Sequence, residues 1–264
     1  MFFIDSHCHI NSDQLRADAE NIIRRAADIG VKRILTVGSD VPDSFEAVRL
    51  AHIYEKEGVF AAVGVHPHDA KTVAEGLPEA LLKLAEDPRV VAIGETGLDY
   101  YYDHSPREVQ RDVFRMHIEW ARQAKKPLVI HVRDAMEEAL EVLRNVPFDV
   151  SKNLNILFHC YAGGLECLSA MKELDATLSL GGPVTWPKNE ELRKVAMSIP
   201  EDRLLCETDA PWLTPKPYRG KLNEPAYVRY VYDAVAEARG ISVEALARIT
   251  AENAERLFAW GTPS

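Results

Sequence analysis

The segment Phe2-Phe3-Ile4-Asp5-Ser6-His7-Cys8-His9 opens as an apolar, β-rich run and ends in two histidines one residue apart. Successive side chains of a strand point to opposite faces. His7 and His9 therefore project from one face, roughly 6–7 Å apart along the chain, near enough to grip a single cation. Cys8 points the other way and reads as a core thiol. Taken alone, H-x-H is equally well a pair of histidines hydrogen-bonded in a polar cavity. The deciding question is whether the rest of the chain repeats the arrangement.

It does. Strand-like runs recur at Phe2–Ser6, Lys32–Val37, Val59–Gly64, Val90–Gly94, Leu128–His131, Asn155–His159, Ala176–Leu180 and Leu204–Glu207. Each is followed by a stretch of 3.6-residue period such as Gln110–Ala124. Eight strands with crossover helices predict an α/β fold, a (β/α)8 TIM barrel, with one domain over residues 1–264. In such a barrel the strand C-termini converge on one mouth. Six of the nine histidines (His7, His9, His66, His68, His131 and His159) lie at or just after those ends, with Glu95 and Asp209. Residues scattered over two hundred positions are thus expected to meet as a metal site at the C-terminal mouth. The Pro-rich stretch Pro211–Pro225 reads as a long loop after the eighth strand, and Ser242 as the N-cap of a closing helix whose apolar face seals the barrel.

Composition narrows the function. The chain has 264 residues, 47% hydrophobic, enough for a large core. With 31 basic and 41 acidic residues the net charge is −10, so no broad cationic track for duplex nucleic acid is expected. No apolar run approaches the roughly 20 residues that span a bilayer, and the N-terminus lacks a signal-peptide layout. Four cysteines without a C-x-x-C pair read as reduced thiols, and a cytoplasmic protein is expected.

Each candidate has a bland alternative. Glu95 follows the buried run Val90-Val91-Ala92-Ile93, where a carboxylate is costly unless paired or metal-bound, and its two oxygens suit a bridge between two ions. Helix capping or a salt bridge would also explain it. The flanking Gly94 and Gly97 suggest close approach of backbone to a ligand. His131 and His159 again end β-rich runs. Recurrence on separate strands favours shared ligation over satisfied core histidines. Asp209 combines ligation with the capacity to accept a proton from water, or, with Pro211 following, is an N-cap or loop acid, and Glu207 shares its parity as a competitor. Arg133 shares the parity of His131 and suits an anionic substrate or, equally, a loop salt bridge, and Asp134 reads as a helix N-cap.

These residues resemble, in order, the motifs of the TatD family of metal-dependent deoxyribonucleases within the amidohydrolase-like barrels. The matching stretches are H-x-H, Gly64-Val65-His66-Pro67-His68, Gly94-Glu95-Thr96-Gly97-Leu98-Asp99-Tyr100, the strand-end His131 and His159, Glu207-Thr208-Asp209-Ala210-Pro211-Trp212-Leu213, and Tyr218–Pro225. The agreement runs from Phe3 to about Phe258. The resemblance implies a two-metal hydrolase in which His7, His9, Glu95 and Asp209 surround one ion while Glu95, His131 and His159 hold the other. Glu95 then stands where other barrels of the group carry a lysine carbamate. It further implies Asp209 as proton acceptor and His66, His68, Arg133, Tyr161 and Arg219 as substrate contacts. Lys216 and Lys221 either add local positive charge or, like most basic residues on a Pro-rich loop, are simply solvated. Two divalent ions (Mg, Mn, Zn or Ni) would serve a 3′–5′ exodeoxyribonuclease acting on single-stranded DNA or another phosphodiester. No membrane and no obligate protein partner are expected. A metal-dependent deacylase or amidohydrolase is the alternative with the same metals, and a noncatalytic metal-binding protein the alternative from another class.

Overall fold

The computed structural model describes residues 1–146 and 154–261. Its frame is eight parallel strands paired in chain order: β1 (Phe3–Cys8), β2 (Val31–Val37), β3 (Val59–Val63), β4 (Val90–Asp99), β5 (Leu128–Arg133), β6 (Ile156–Phe158), β7 (Thr177–Leu180) and β8 (Leu204–Cys206). All eight strands expected from the sequence are present, and the fold is the (β/α)8 barrel. These runs become strands because β-branched and aliphatic residues are buried on both faces, one toward the barrel interior and one toward the helices. The seam between β8 and β1 is closed just beyond β8. There Asp209 N–H donates to the His7 carbonyl (2.9 Å) and His9 N–H to the Ala210 carbonyl (2.7 Å). The buried Asp5 carboxyl clamps the same seam, accepting from Thr208 N–H (2.9 Å) and the Thr208 hydroxyl (2.6 Å). Burial pushes this carboxyl well up, against the pull of the Thr208 bonds.

Helices fill the crossovers: α1 (Ala19–Asp28), α2 (Val41–Ile53), α3 (Glu79–Leu84), α4 (Arg107–Ala124), α5 (Met136–Arg144), α6 (Leu168–Glu173), α7 (Glu190–Ser198), α8 (Val228–Arg239) and α9 (Val243–Phe258). Their buried residues follow the helical period, as in α1, where Ala19, Ile22, Ile23 and Ala26 face inward. Asp40 caps α2 by accepting from Asp43 N–H, and Ser242 caps α9 by accepting from Ala245 N–H, as the sequence suggests. Asp134 does not cap α5: it takes a left-handed φ of 52°, and Ala135 stands at the cap.

Two strands run further than the sequence suggests. β4 continues through Glu95 to Asp99 because Gly94 (φ 122°) and Gly97 (φ 134°) carry it through a register shift against β5. A Cβ on Gly94 would lie 2.4 Å from the Val129 carbonyl, and one on Gly97 2.1 Å from the His131 carbonyl. These glycines thus serve close backbone-to-backbone packing rather than approach to a ligand. β5 correspondingly extends to Arg133.

Near the N-terminal ends of β2 and β3 the chain's last described residues pack back on the barrel. Arg33 donates to the Gly261 carbonyl (3.1 and 2.9 Å), and Trp260 and the Arg89 guanidinium pack on Phe60. Among the described residues no helix is long and apolar enough to cross a membrane, and all four cysteines are free.

Candidate metal centre

Glu95 stands in the middle of the open mouth, and its two oxygens face two groups of donors. Oε2 lies 3.4 Å from His7 Nε2 and 3.5 Å from His9 Nε2. Those two nitrogens are 3.1 Å apart, and Asp209 Oδ1 is 3.8 and 3.6 Å from them. On the other side Oε1 lies 2.7 Å from His159 Nε2 and 3.0 Å from His131 Nδ1, which are 3.3 Å from each other. Strand geometry produces both groups. H-x-H on β1 turns both imidazoles to the interior, β4 delivers Glu95 through its glycine bulge, β5 carries His131, and His159 follows β6 directly.

The donor set fits a cation on each side. A four-coordinate shell with bonds of about 2.0–2.2 Å has donor–donor edges of roughly 3.3–3.6 Å. The His7, His9, Glu95 and Asp209 separations of 3.1–3.8 Å span that range, while those among Glu95, His131 and His159 (2.7, 3.0 and 3.3 Å) are tighter and would open as an ion enters. Tautomers assigned from the hydrogen-bond partners agree. His9 Nδ1 donates to the Val37 carbonyl (2.8 Å), His131 Nε2 to Asp99 Oδ2 (3.2 Å) and His159 Nδ1 to Glu207 Oε1 (3.4 Å). These outward bonds leave the inward nitrogen of each ring able to give a lone pair to a cation or, when protonated, to donate to Glu95, as the 2.7 and 3.0 Å separations of His159 and His131 from Oε1 allow. The lone pairs of His131 and His159 cannot rest 3.3 Å apart without a proton or cation between them. His7 is fully buried and its Nδ1 has no partner.

The electrostatics follow from this crowding. Burial works against the charged form of Glu95, yet His159, His66 and His131 hold its carboxyl well below the usual range. Burial also opposes charge on His159, His131 and His9. For these the carboxylates win: Glu95 and Glu207 raise His159 well up, Asp99 and Glu95 raise His131, and Asp209 and Glu95 raise His9. His7 is lowered, by burial and then by His159.

His66 behaves differently. Its Nδ1 accepts from His68 N–H (3.1 Å), which leaves the ring proton on Nε2, 3.5 Å from Glu95 Oε1. Although it lies among the donors, His66 offers a hydrogen where the others offer lone pairs, which suits an anionic substrate oxygen. His68 Nε2 is held 2.8 Å from Asp99 Oδ2. Arg133 lies on the faces of Tyr101 (4.0 Å) and Tyr102 (4.7 Å), and Arg219 on Trp186 (4.5 Å), so both are at the loops around the mouth and outside the donor cluster. Tyr161 is not presented to a substrate. It is buried, and its hydroxyl donates to the Gly164 carbonyl (3.1 Å), because Cys160 takes φ 40° and turns the chain after His159.

Sequence reasoning missed Asp99. It accepts from Tyr101 and Tyr102 N–H (3.0 and 2.9 Å) on one oxygen while the other faces His68 and His131. Burial opposes its charge, but His131, the Tyr102 amide and His68 lower its pKa strongly. A signal was present: Asp99 shares the parity of Glu95 on the same strand. Glu207 is buried between His159 and the Ser179 hydroxyl, an orienting position rather than one open to substrate.

A family model of TatD-related DNases matches residues 4–259. The chain is 41% identical to the uncharacterized metal-dependent hydrolase YabD of Bacillus subtilis, over 96% of this chain and 98% of that one. It is 37% identical to the uncharacterized metal-dependent hydrolase YcfH of Escherichia coli K12, over 98% and 96%. Among solved structures, YjjV, a TatD homolog from Escherichia coli K12, superposes with a TM-score of 0.86 at 26% identity, covering 99% of this chain and 98% of its own.

Proposed function

The chain belongs to the TatD family of metal-dependent hydrolases, and from that premise we propose that it is a two-ion phosphodiesterase removing nucleotides from the 3′ end of single-stranded DNA. The observation that carries this reading is Glu95, whose two oxygens face separate His/carboxylate groups across the mouth. Family resemblance supports DNA as substrate and the 3′ polarity. The net charge of −10 and the recessed position of the donors disfavour extended contact with duplex.

His7, His9, Glu95 and Asp209 would hold one divalent ion, and Glu95, His131 and His159 the other. When bound, such ions supply Lewis acidity that brings water ionisation toward neutral pH and polarises a phosphoryl oxygen. Asp209 orients the attacking water and accepts its proton: its side chain reaches the mouth while its backbone is pinned to His7. His66 Nε2–H is placed to donate to a phosphate oxygen as negative charge builds. Asp99 and Glu207 fix the rotation of His131 and His159. The four free cysteines suit a reducing cytoplasm.

The test is a hydrolysis screen of protein reconstituted separately with Mg, Mn, Zn and Ni. Substrates are end-labelled single-stranded DNA, covalently closed single-stranded circles, RNA and acyl esters. Progressive shortening from the 3′ end with circles untouched is expected. Efficient cutting of circles would overturn the exonuclease reading, and hydrolysis confined to esters would replace it with a deacylase.

A further inference from the structure

The mouth carries large aromatic side chains that the hydrolytic chemistry does not use. Tyr101 and Tyr102, on the loop after β4, are 59% and 50% exposed, and Trp212, on the loop after β8, is 47% exposed. In an eight-stranded barrel β4 and β8 lie opposite each other, so these rings stand on facing sides of the opening. An unbroken series of ring contacts joins them. Trp212 meets His9 (4.9 Å between centroids), His9 meets His7, His7 stacks on His159 (3.9 Å), and the series continues through His131, His66 and His68 to Tyr102 (5.3 Å). The inner rings are the donor set and its neighbours, and the exposed ones are its two ends. A molecule resting on both ends therefore passes over the donors.

Exposed aromatic rings cost hydration free energy, and three at one opening form a surface waiting for a flat apolar partner. The chemistry around them selects which one. The Arg133 guanidinium covers one face of Tyr101 and of Tyr102 and His104 stacks on Tyr102 (5.6 Å), so Tyr101 is the more open ring of the pair and that end carries positive charge, while the centre suits an anion. Flat rings linked by anionic groups are what a single nucleic-acid strand offers. Its unpaired bases have free π-faces, whereas those inside a duplex are already stacked.

Resting on the phosphodiesterase reading above, we propose that Trp212 on one side and Tyr101 with Tyr102 on the other are base-stacking platforms that hold unpaired bases on either side of the scissile phosphodiester. Sequence preference is then weak, because every base has a π-face, while the presence of a base matters. The Trp212 backbone is independently fixed, its N–H on the Asp209 carbonyl (2.9 Å) and its carbonyl on Asn223 Nδ2 (2.6 Å), so truncating the ring removes the platform without releasing the loop.

The experiment compares a 12-residue oligodeoxyadenylate with an abasic strand of the same length and phosphate count, using Mg-reconstituted protein. It reads kcat/KM by product release and Kd by fluorescence anisotropy. Wild type is expected to favour the base-bearing strand by roughly 10- to 100-fold. In Trp212→Ala and in Tyr101→Ala/Tyr102→Ala that ratio should fall to within about threefold of unity. Trp212→Phe, which keeps a ring, should retain most of it. Taking a ratio cancels any disturbance of His9 that affects both strands. A wild-type ratio near one, or a ratio that survives both alanine variants, would overturn the platforms while leaving the phosphodiesterase reading intact. If neither strand is cleaved but the binding preference and its loss in the variants persist, the exonuclease reading falls and the platforms stand.

Discussion

In the proposed reaction Asp209 accepts a proton and Asp99 positions His131. Asp209→Asn is expected to lower kcat by about 10²- to 10⁴-fold with the fold intact, since it removes the proton acceptor at a solvent-facing mouth. Near-normal turnover in the metal-replete variant would shift the role elsewhere. Glu207 is an unpromising substitute because His159 and Ser179 already engage it. Asp99→Asn leaves every inward donor in place but weakens the restraint on His131. Metal affinity, measured by calorimetric titration, should fall about 10- to 100-fold. An unchanged affinity would mean that His131 needs no orienting carboxylate. The gathering of the five donors around Glu95 (His7, His9, His131, His159 and Asp209) was legible in the sequence because each lies at or just past the end of a β-rich run, and such ends meet. Asp99 was not, since parity gives the face of a side chain and not its partner. Tyr161 misled for a related reason: alternation fails where Cys160 adopts a positive φ. The tautomer of His66, with its proton on Nε2, depends on a backbone amide two residues away, which no spacing rule records.

β4 and α4 show how whole segments aim the site. The glycines of β4 were visible, but their purpose was misread, because close packing against the β5 backbone leaves no periodic signature. α4 reaches the site through His117, fully buried, whose Nδ1 donates to the Val113 carbonyl (2.8 Å) and whose Nε2 accepts from Val65 N–H (3.0 Å), next to His66. Burial pushes this imidazole down to about 4. An unfolded histidine titrates near 6.5, above the folded value. The neutral ring's contribution is therefore full above that pH and is lost as pH falls through 4, a change of roughly 3 kcal/mol. The difference in unfolding free energy between wild type and His117→Gln, from urea titrations, should shrink by about that amount between pH 7 and pH 4. A difference that does not vary with pH would show that His117 is already charged or does not anchor the loop.

The molecule taken together is a barrel in which Arg33, Phe60 and Trp260 gather near the strand N-termini and the histidines and carboxylates of the candidate site collect at the other end. Its parallel topology was readable because eight β-rich runs alternate with helical periodicity. How the seam closes was not, since it depends on Asp5 reaching Thr208 across two hundred residues of sequence. The proposed hydrolytic chemistry depends on two cations sharing Glu95. Anomalous scattering from crystals loaded with manganese or zinc tests this directly. Two peaks are expected, one on each side of the Glu95 carboxylate, the first within coordination distance of His7, His9 and Asp209 and the second of His131 and His159. A single peak, or peaks away from Glu95, would contradict it.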